Sequence, residues 1–101
     1  MTLDEITLGD FAACLGQKFP VALALPKPLE LELLSASSVA AATAPGRRES
    51  FKLLFRAAPE WNCPQQIYPL VHPALGELGI FLVPVEKNAH GTELEAIFRF
   101  V

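Results

Sequence analysis

Residues 72–101, HPALGELGIFLVPVEKNAHGTELEAIFRFV, decide the fold of this chain, because they hold its clearest strand patterns. The first pattern is apolar on both faces, with Leu78, Ile80 and Leu82 on one face and Phe81, Val83 and Val85 on the other. Such a strand is expected to be central and covered on both sides. The second pattern, residues 92–101, alternates apolar with mostly charged residues, which is typical of a half-buried strand. The polar run EKNAHG, residues 86–91, predicts a hairpin loop between them.

A hairpin alone is marginally stable in water, so this one needs further strands. Alternating apolar residues predict them over residues 19–25, 29–33, 50–56 and 66–72, and the second of these strands could continue to residue 39. Hairpin-length connections join all six strands, and no helical pattern separates any two of them. Parallel βαβ units are therefore excluded, and an antiparallel barrel or sandwich is expected.

The segment TLGDFAACLGQ, residues 7–17, predicts one short N-terminal α-helix. Thr7 and Asp10 have the spacing of a capping box, and Gly16 can close the last turn. An apolar stripe runs along one side, made by Leu8, Phe11, Ala12 and Leu15. The fold class is thus mainly β: residues 1–101 form a single small antiparallel six-stranded barrel or sandwich domain with this helix.

The phase of the strands divides the apolar residues into a core and an outer set. The predicted core consists of Phe51, Leu53, Phe55, Leu82, Leu94, Phe98 and Phe100. The predicted outer apolar residues are Leu54, Tyr68, Leu70, Phe81, Val83, Val85 and Ile97. Hydrophobic residues make up 51% of the sequence, so part of this apolar surface must face outward. We therefore expect a homo-oligomer, most simply a two-fold dimer, or a protein partner on the same face.

Charge and targeting signals narrow the classes of partner. The formal net charge is -3, and the only basic cluster is Arg47-Arg48, so a nucleic-acid partner is not expected. The first ten residues carry acids and no hydrophobic core segment, which predicts a cytoplasmic protein with Cys14 and Cys63 as free thiols. No apolar run reaches the roughly 18–20 residues of a membrane helix, so membrane insertion is not expected.

Residues that could carry chemistry are few and dispersed. His72 could act as a base, but it precedes Pro73 at a strand end, where a histidine more often hydrogen-bonds a turn. Cys63, His72 and His90 lack the close pairs that mark zinc sites. We therefore predict no catalytic residues, no metal and no cofactor.

Candidate interaction residues fall into three groups. Arg47 and Arg48 follow a Pro-Gly turn and could clamp a carboxylate or phosphate, although a solvated hairpin tip is the simpler interpretation. Trp61 is the only tryptophan; it either folds back to cap the barrel or is exposed for a partner. The third group consists of the outward apolar residues Leu54, Phe81 and Val83.

Three separated segments resemble a family of small bacterial domains of unknown function. They are TLxDF with a glycine before Phe19, RRxSFxLLFR in the centre, and HPxLGxxxxFLVPV followed by EAIF at the end. The resemblance covers nearly the whole chain. It implies no activity, but it does imply that such domains occur beside phage-tail-like collar proteins.

The leading functional hypothesis is a non-enzymatic protein-interaction or assembly module, accessory to a phage-tail-like or surface assembly. The alternative is a small-ligand-binding β-barrel, which would need a pocket of about 300–1,000 Å³. An interior filled with Phe and Leu side chains would favour the interaction hypothesis. An enzyme ranks third, because the sequence shows no acid–base pair and no nucleophile dyad.

Overall fold

One short helix and six antiparallel strands make up the part of the chain described by the computed structural model, which is residues 5–40 and 50–99, with the backbone alone at residue 40. The elements are α1 (Leu8–Ala12), β1 (Lys18–Pro20), β2 (Glu30–Ala40), β3 (Ser50–Ala57), β4 (Gln66–His72), β5 (Gly76–Asn88) and β6 (Gly91–Phe98). The mainly β fold class predicted from the sequence is confirmed.

The strands are hydrogen-bonded in the order β1-β2-β3-β6-β5-β4, and the two ends of this row meet again. Val21 bridges Leu70 just beyond β1, and the Ala22 amide donates to the carbonyl of Pro69 at 2.8 Å. These contacts close the row into a nearly complete barrel. Of the two architectures predicted, the barrel is therefore the one that forms.

β5 belongs to two ladders, one in each half of its length. Its first half pairs with β4, from His72–Gly76 to Gln66–Leu82. Its second half pairs with β6, from Val83–Glu95 to Asn88–Gly91, with a register shift after Pro84. Because a bulge bends a strand and increases its twist, β5 can leave one partner and join the other.

The helix is shorter than predicted. It spans Leu8–Ala12 instead of residues 7–17, although the Thr7–Asp10 capping box forms as expected. Gly16 adopts a positive φ of 79° in the turn that follows, and its amide donates to Leu33 of β2 at 2.8 Å. The chain leaves the helix early to reach this contact, so Leu15 is exposed and does not continue the apolar stripe.

Two strand boundaries also differ from the prediction, and the predicted irregularity in β2 is present. β1 ends at Pro20 instead of Leu25, because the chain then leaves β2 and meets β4, where Val21 bridges Leu70. β2 does continue through a register shift between Leu33 and Ser35, as the broken alternation suggested. The β5–β6 turn is only residues 89–90, since Asn88 pairs with Gly91. Gly91 is required there, because a Cβ atom would lie 1.9 Å from the Ala57 carbonyl oxygen.

The predicted phase is correct for β3 and β6 but wrong for β4. Phe51, Leu53, Phe55, Leu82 and Leu94 are buried as predicted, whereas Phe98 is partly exposed and Phe100 lies outside the described residues. Tyr68 and Leu70, predicted to face outward, are buried in the core. Both faces of β4 are apolar, so its phase depends on pairing with β5, where Tyr68 lies opposite the inward Ile80.

The expectation that β5 is covered on both sides is wrong. Leu78, Ile80 and Leu82 are buried, whereas Phe81 and Val85 are exposed and Val83 is intermediate. A single-layered barrel covers only the inner face of its strands, and the short helix α1 packs against β2.

A cluster of three phenylalanines fills one region of the core. The Phe11 ring lies 5.8 Å from that of Phe51 and 6.0 Å from that of Phe98, and the Phe51 and Phe98 rings stack at 4.9 Å. The cluster joins α1 to β3 and β6, so helix docking depends on the buried ring of Phe51.

We predict that Phe51→Ala lowers the free energy of unfolding by about 3–5 kcal/mol, the usual cost of truncating a buried phenylalanine. Chemical denaturation monitored by circular dichroism measures this change. Phe98→Ala is the comparison, and it should cost less because Phe98 is only partly buried. A smaller effect at Phe51 than at Phe98 would show that the cluster is packed differently.

Candidate functional site

The most distinctive surface feature is an apolar groove between β5 and β6. On the described strands the β5–β6 ladder ends at Val83–Glu95, and beyond this pair the two strands diverge. The groove between them has a volume of about 460 Å³. It is lined by Ile67, Gly79, Ile80, Phe81, Val83, Glu95, Ala96, Ile97 and Phe98. The groove is thus a direct consequence of β5 changing its partner.

Three exposed apolar side chains cross this face in a row. Phe81 pairs with Ile67 of β4, and Ile97 of β6 lines the same groove as these two residues. Their exposed fractions are 65% for Ile67, 49% for Phe81 and 50% for Ile97. We call these three residues the apolar row. Single exposed apolar residues are normal on protein surfaces, but neighbouring ones on three successive strands are not.

Gly79 gives the groove its depth. It lies on β5 opposite Pro69, two residues before Phe81, and it has no side chain to fill the space. A Cβ atom placed there would lie 3.4 Å from Cγ2 of Ile67, in ordinary van der Waals contact with it. The missing side chain at Gly79 therefore leaves open space in the groove beside the apolar row.

Charged residues stand on either side of the apolar row along β6. Glu95 precedes Ile97 by two residues and lines the groove, and the exposed Arg99 follows Ile97 by two residues, just past the end of β6. In residues 5–40 and 50–99 neither forms an ion pair. The ion pairs there lie on another part of the barrel, where Glu32 contacts Lys18 at 3.6 Å and Arg56 at 3.2 Å. Glu95 and Arg99 are therefore available to a partner.

The structure brings only some of the predicted interaction residues together. Phe81 and Val83 line the groove, and Leu54 is a partly buried neighbour across Glu95. Trp61 is separate: it is half-buried against the core and lines a shallow groove of about 200 Å³ with residues of the β1–β2 turn. Arg47 and Arg48 lie outside the described residues.

Ile67 and Gly79 were missed by the sequence analysis, and Ile97 was noted without being assigned to a site. Ile67 was missed because β4 was given the opposite phase, and Gly79 was missed because a glycine in a strand carries no pattern. Ile97 was among the predicted outer residues. Its signal was visible, because it replaces a charged residue in the outward series Glu93, Glu95, Ile97, Arg99.

His72 makes two hydrogen bonds and a ring contact near the boundary where β4 meets β1, which we call the barrel seam. Its Nδ1 atom accepts a hydrogen bond from the Ala74 amide at 3.0 Å, so its Nε2 atom carries the hydrogen and donates to Oε1 of Gln17 at 2.6 Å. Its ring lies 4.8 Å from that of Phe19 in β1. The Nε2 bond thus joins the end of β4 to the start of β1, whereas the Nδ1 bond holds the turn that follows β4.

The two thiols are buried and free, and neither is in an activating environment. Burial raises the pKa of Cys14, with a further contribution from the nearby Asp10. Burial also raises the pKa of Cys63, although Tyr68 and Lys87 act in the opposite direction. A reactive thiol needs a lowered pKa, so this environment does not favour nucleophilic chemistry.

Tyr68 is buried in the core beside Cys63. Its hydroxyl donates to the carbonyl oxygen of Pro64 at 2.5 Å and so anchors the loop between β3 and β4. Burial, together with the neighbouring Cys63, raises the pKa of Tyr68 to about 12. The hydroxyl of Tyr68 therefore keeps its proton more strongly in the folded protein than a free tyrosine does.

Within the ranges that the structure covers, no cluster of three or more His, Cys, Asp or Glu side chains is arranged to hold a metal ion. In the same residues no helix has the length and apolar character needed to cross a membrane.

Comparison with known proteins places the chain in a family. The family model of Domain of unknown function (DUF6916) matches residues 6–98, which include every strand described above. The chain belongs to the DUF6916 family. Neither the curated proteins nor the solved structures contain a significant match. The resemblance stated from the three sequence segments is confirmed as far as a small domain family of unknown function.

We predict that Tyr68 ionises near pH 12 in the folded protein, compared with about 10 in the unfolded chain. Tyr68 is the only tyrosine, so phenolate absorbance reports it directly. Because the folded state keeps this proton longer, unfolding releases it in the window between the two values, and stability should fall there as pH rises. Tyr68→Phe should show a shallower decline. A native midpoint near that of denatured protein would contradict the burial of this hydroxyl.

We predict that His72→Ala lowers the free energy of unfolding by about 1–3 kcal/mol, because the seam loses two hydrogen bonds and a ring contact. Gln17→Ala is the matched control, since it removes only one of these bonds and Gln17 is exposed. Denaturant titration of both variants measures the difference. Equal losses would mean that the Phe19 and Ala74 contacts of His72 add nothing to the seam.

Proposed function

We propose that this domain is a non-enzymatic protein-interaction module, and that its contact surface is the groove and the apolar row on β4, β5 and β6. The observation that carries the proposal is the exposure of the paired residues Ile67 and Phe81 together with Ile97 on the same groove. Apolar surface of this kind, bordered by charged residues, is characteristic of protein contact sites.

The filled interior supports an interaction role over ligand binding inside the barrel. The largest fully buried side chains include Tyr68, Phe11, Phe19, Phe51 and Phe55, and they occupy the space that a ligand would need. The surplus of apolar residues in the sequence therefore goes to the outer surface, where it is useful to a partner.

A small apolar ligand in the surface groove is the second candidate. The groove volume of about 460 Å³ lies within the usual range of about 300–1,000 Å³ for ligand sites, and its lining is apolar apart from Glu95. This candidate shares its surface with the first, so one experiment can distinguish them.

An enzymatic role is the least supported. The buried thiols have raised pKa values, and the nitrogens of His72 are engaged in the barrel seam. An accessory role in a phage-tail-like or surface assembly is a narrower form of the interaction proposal, and it rests on the family resemblance alone.

Photo-crosslinking in the native cell tests the proposal, because it captures a partner whose identity is unknown. A benzophenone amino acid replaces Phe81, and in a control variant it replaces Leu15, whose exposed fraction of 47% matches the 49% of Phe81. We expect protein adducts, with this chain or with another, at position 81 and far fewer at position 15.

The alternative outcomes are equally informative. Equal yields at the two positions would contradict a specific interaction surface. A small-molecule adduct at position 81, identified by intact mass, would favour the ligand-binding candidate instead.

A further inference from the structure

We infer that the partner on this surface is a second copy of the same chain, packed face to face around a two-fold axis that runs across the strands along the apolar row. This inference rests on the proposed function, because it names the occupant of the same surface. Its basis is the self-complementary order of charges and shapes on the two sides of the row.

The first support is charge complementarity along β6 and the residue that follows it. In a two-fold contact, each residue meets the partner's residue at the mirrored position relative to the axis. With the axis through Ile97, Glu95 of one copy lies opposite Arg99 of the other, two residues away on either side. The symmetry makes this pair twice, and both side chains lack ion-pair partners in the described chain.

The second support is a matching of shape along β5. Phe81 lies on the axis, so the mirrored positions are Val83 and Gly79. Each copy would place its Val83 side chain above the bare backbone of the other copy's Gly79. Face-to-face packing of sheets requires this kind of interdigitation, with strands aligned to within about 30°.

The closed barrel favours a face over an edge as the contact. At the row β5 is paired with β4 and β6 with β3, and the β1–β4 seam is bridged by the Val21–Leu70 pair and the His72 contacts. Strand addition at the seam would have to break these bonds. Packing on the apolar row breaks none and removes exposed apolar surface from water.

Charge reversal with complementation tests the arrangement. Glu95→Arg places like charges opposite each other in its own dimer, and so does Arg99→Glu. We expect the dimer dissociation constant of each variant, measured by sedimentation equilibrium, to be at least about tenfold higher than that of the natural protein. An equal mixture of the two variants restores both attractive pairs, so heterodimers should form with roughly natural affinity.

Lys52 supplies the matched control on the same face. It pairs with Ile97 across β3 and β6, so it lies on the axis and meets its own copy. Lys52→Glu exchanges one like-charged pair for another. Its dimer dissociation constant should therefore stay within about threefold of that of the natural protein. Circular dichroism of every variant checks that the β structure is retained.

Crosslinking of the purified chain gives an independent measurement. A benzophenone at position 81 lies on the axis, so it should react with residues of the same apolar row in the partner copy, located by mass spectrometry. Crosslinks elsewhere would overturn the proposed arrangement even if a dimer is present.

Two results would overturn the inference. A natural protein that remains monomeric at all concentrations would exclude the second copy as partner, whereas adducts with another protein at position 81 in cells would still support the interaction module. A dimer in which the mixture of Glu95→Arg and Arg99→Glu shows no recovery would exclude this two-fold arrangement.

Discussion

The change of partner in the middle of β5 is the constraint on which the rest of this structure depends. Pro84 stands at the change, next to the register shift that lets the strand bend. The first half of β5 pairs with β4 and places it next to the end of β1, so the barrel can close. The same divergence separates β5 from the end of β6 and opens the surface groove. Closure and groove thus have one physical cause.

A small barrel has a single interior in which to bury apolar side chains, and this interior is too small to hold all of them. The phenylalanine cluster occupies one region, with α1 supplying Phe11, while Tyr68 anchors the loop beside Cys63. What remains is distributed unevenly outside. The outer faces of β2 and β3 carry Glu32 and Arg56 in an ion pair, whereas β4, β5 and β6 present the apolar row. This asymmetry, more than any single residue, indicates where a partner binds.

Strands with one charged face were predicted correctly, because their periodicity defines both the element and its orientation. In β3 and β6 the inward residues, Phe51, Leu53, Phe55 and Leu94, were identified from the sequence. β4 and β5 are apolar on both faces, so the pattern predicted strands but could not orient β4 or reveal that the outer face of β5 is uncovered. Phe81 and Val83 were still recognised as candidates, whereas Ile67 and Gly79 depended on pairing between strands.

The sequence by itself determined the class of fold, the approximate strands, the capping box of the helix and the excess of apolar residues over what one small core can hold. These follow from local periodicity and composition, which act over a few residues. Tertiary structure alone decided the short helix, the phase of β4, the closure of the barrel and the place of the groove. Each of these depends on contacts between residues far apart in the chain, such as Gly16 with Leu33 or Val21 with Leu70, and no local pattern encodes them.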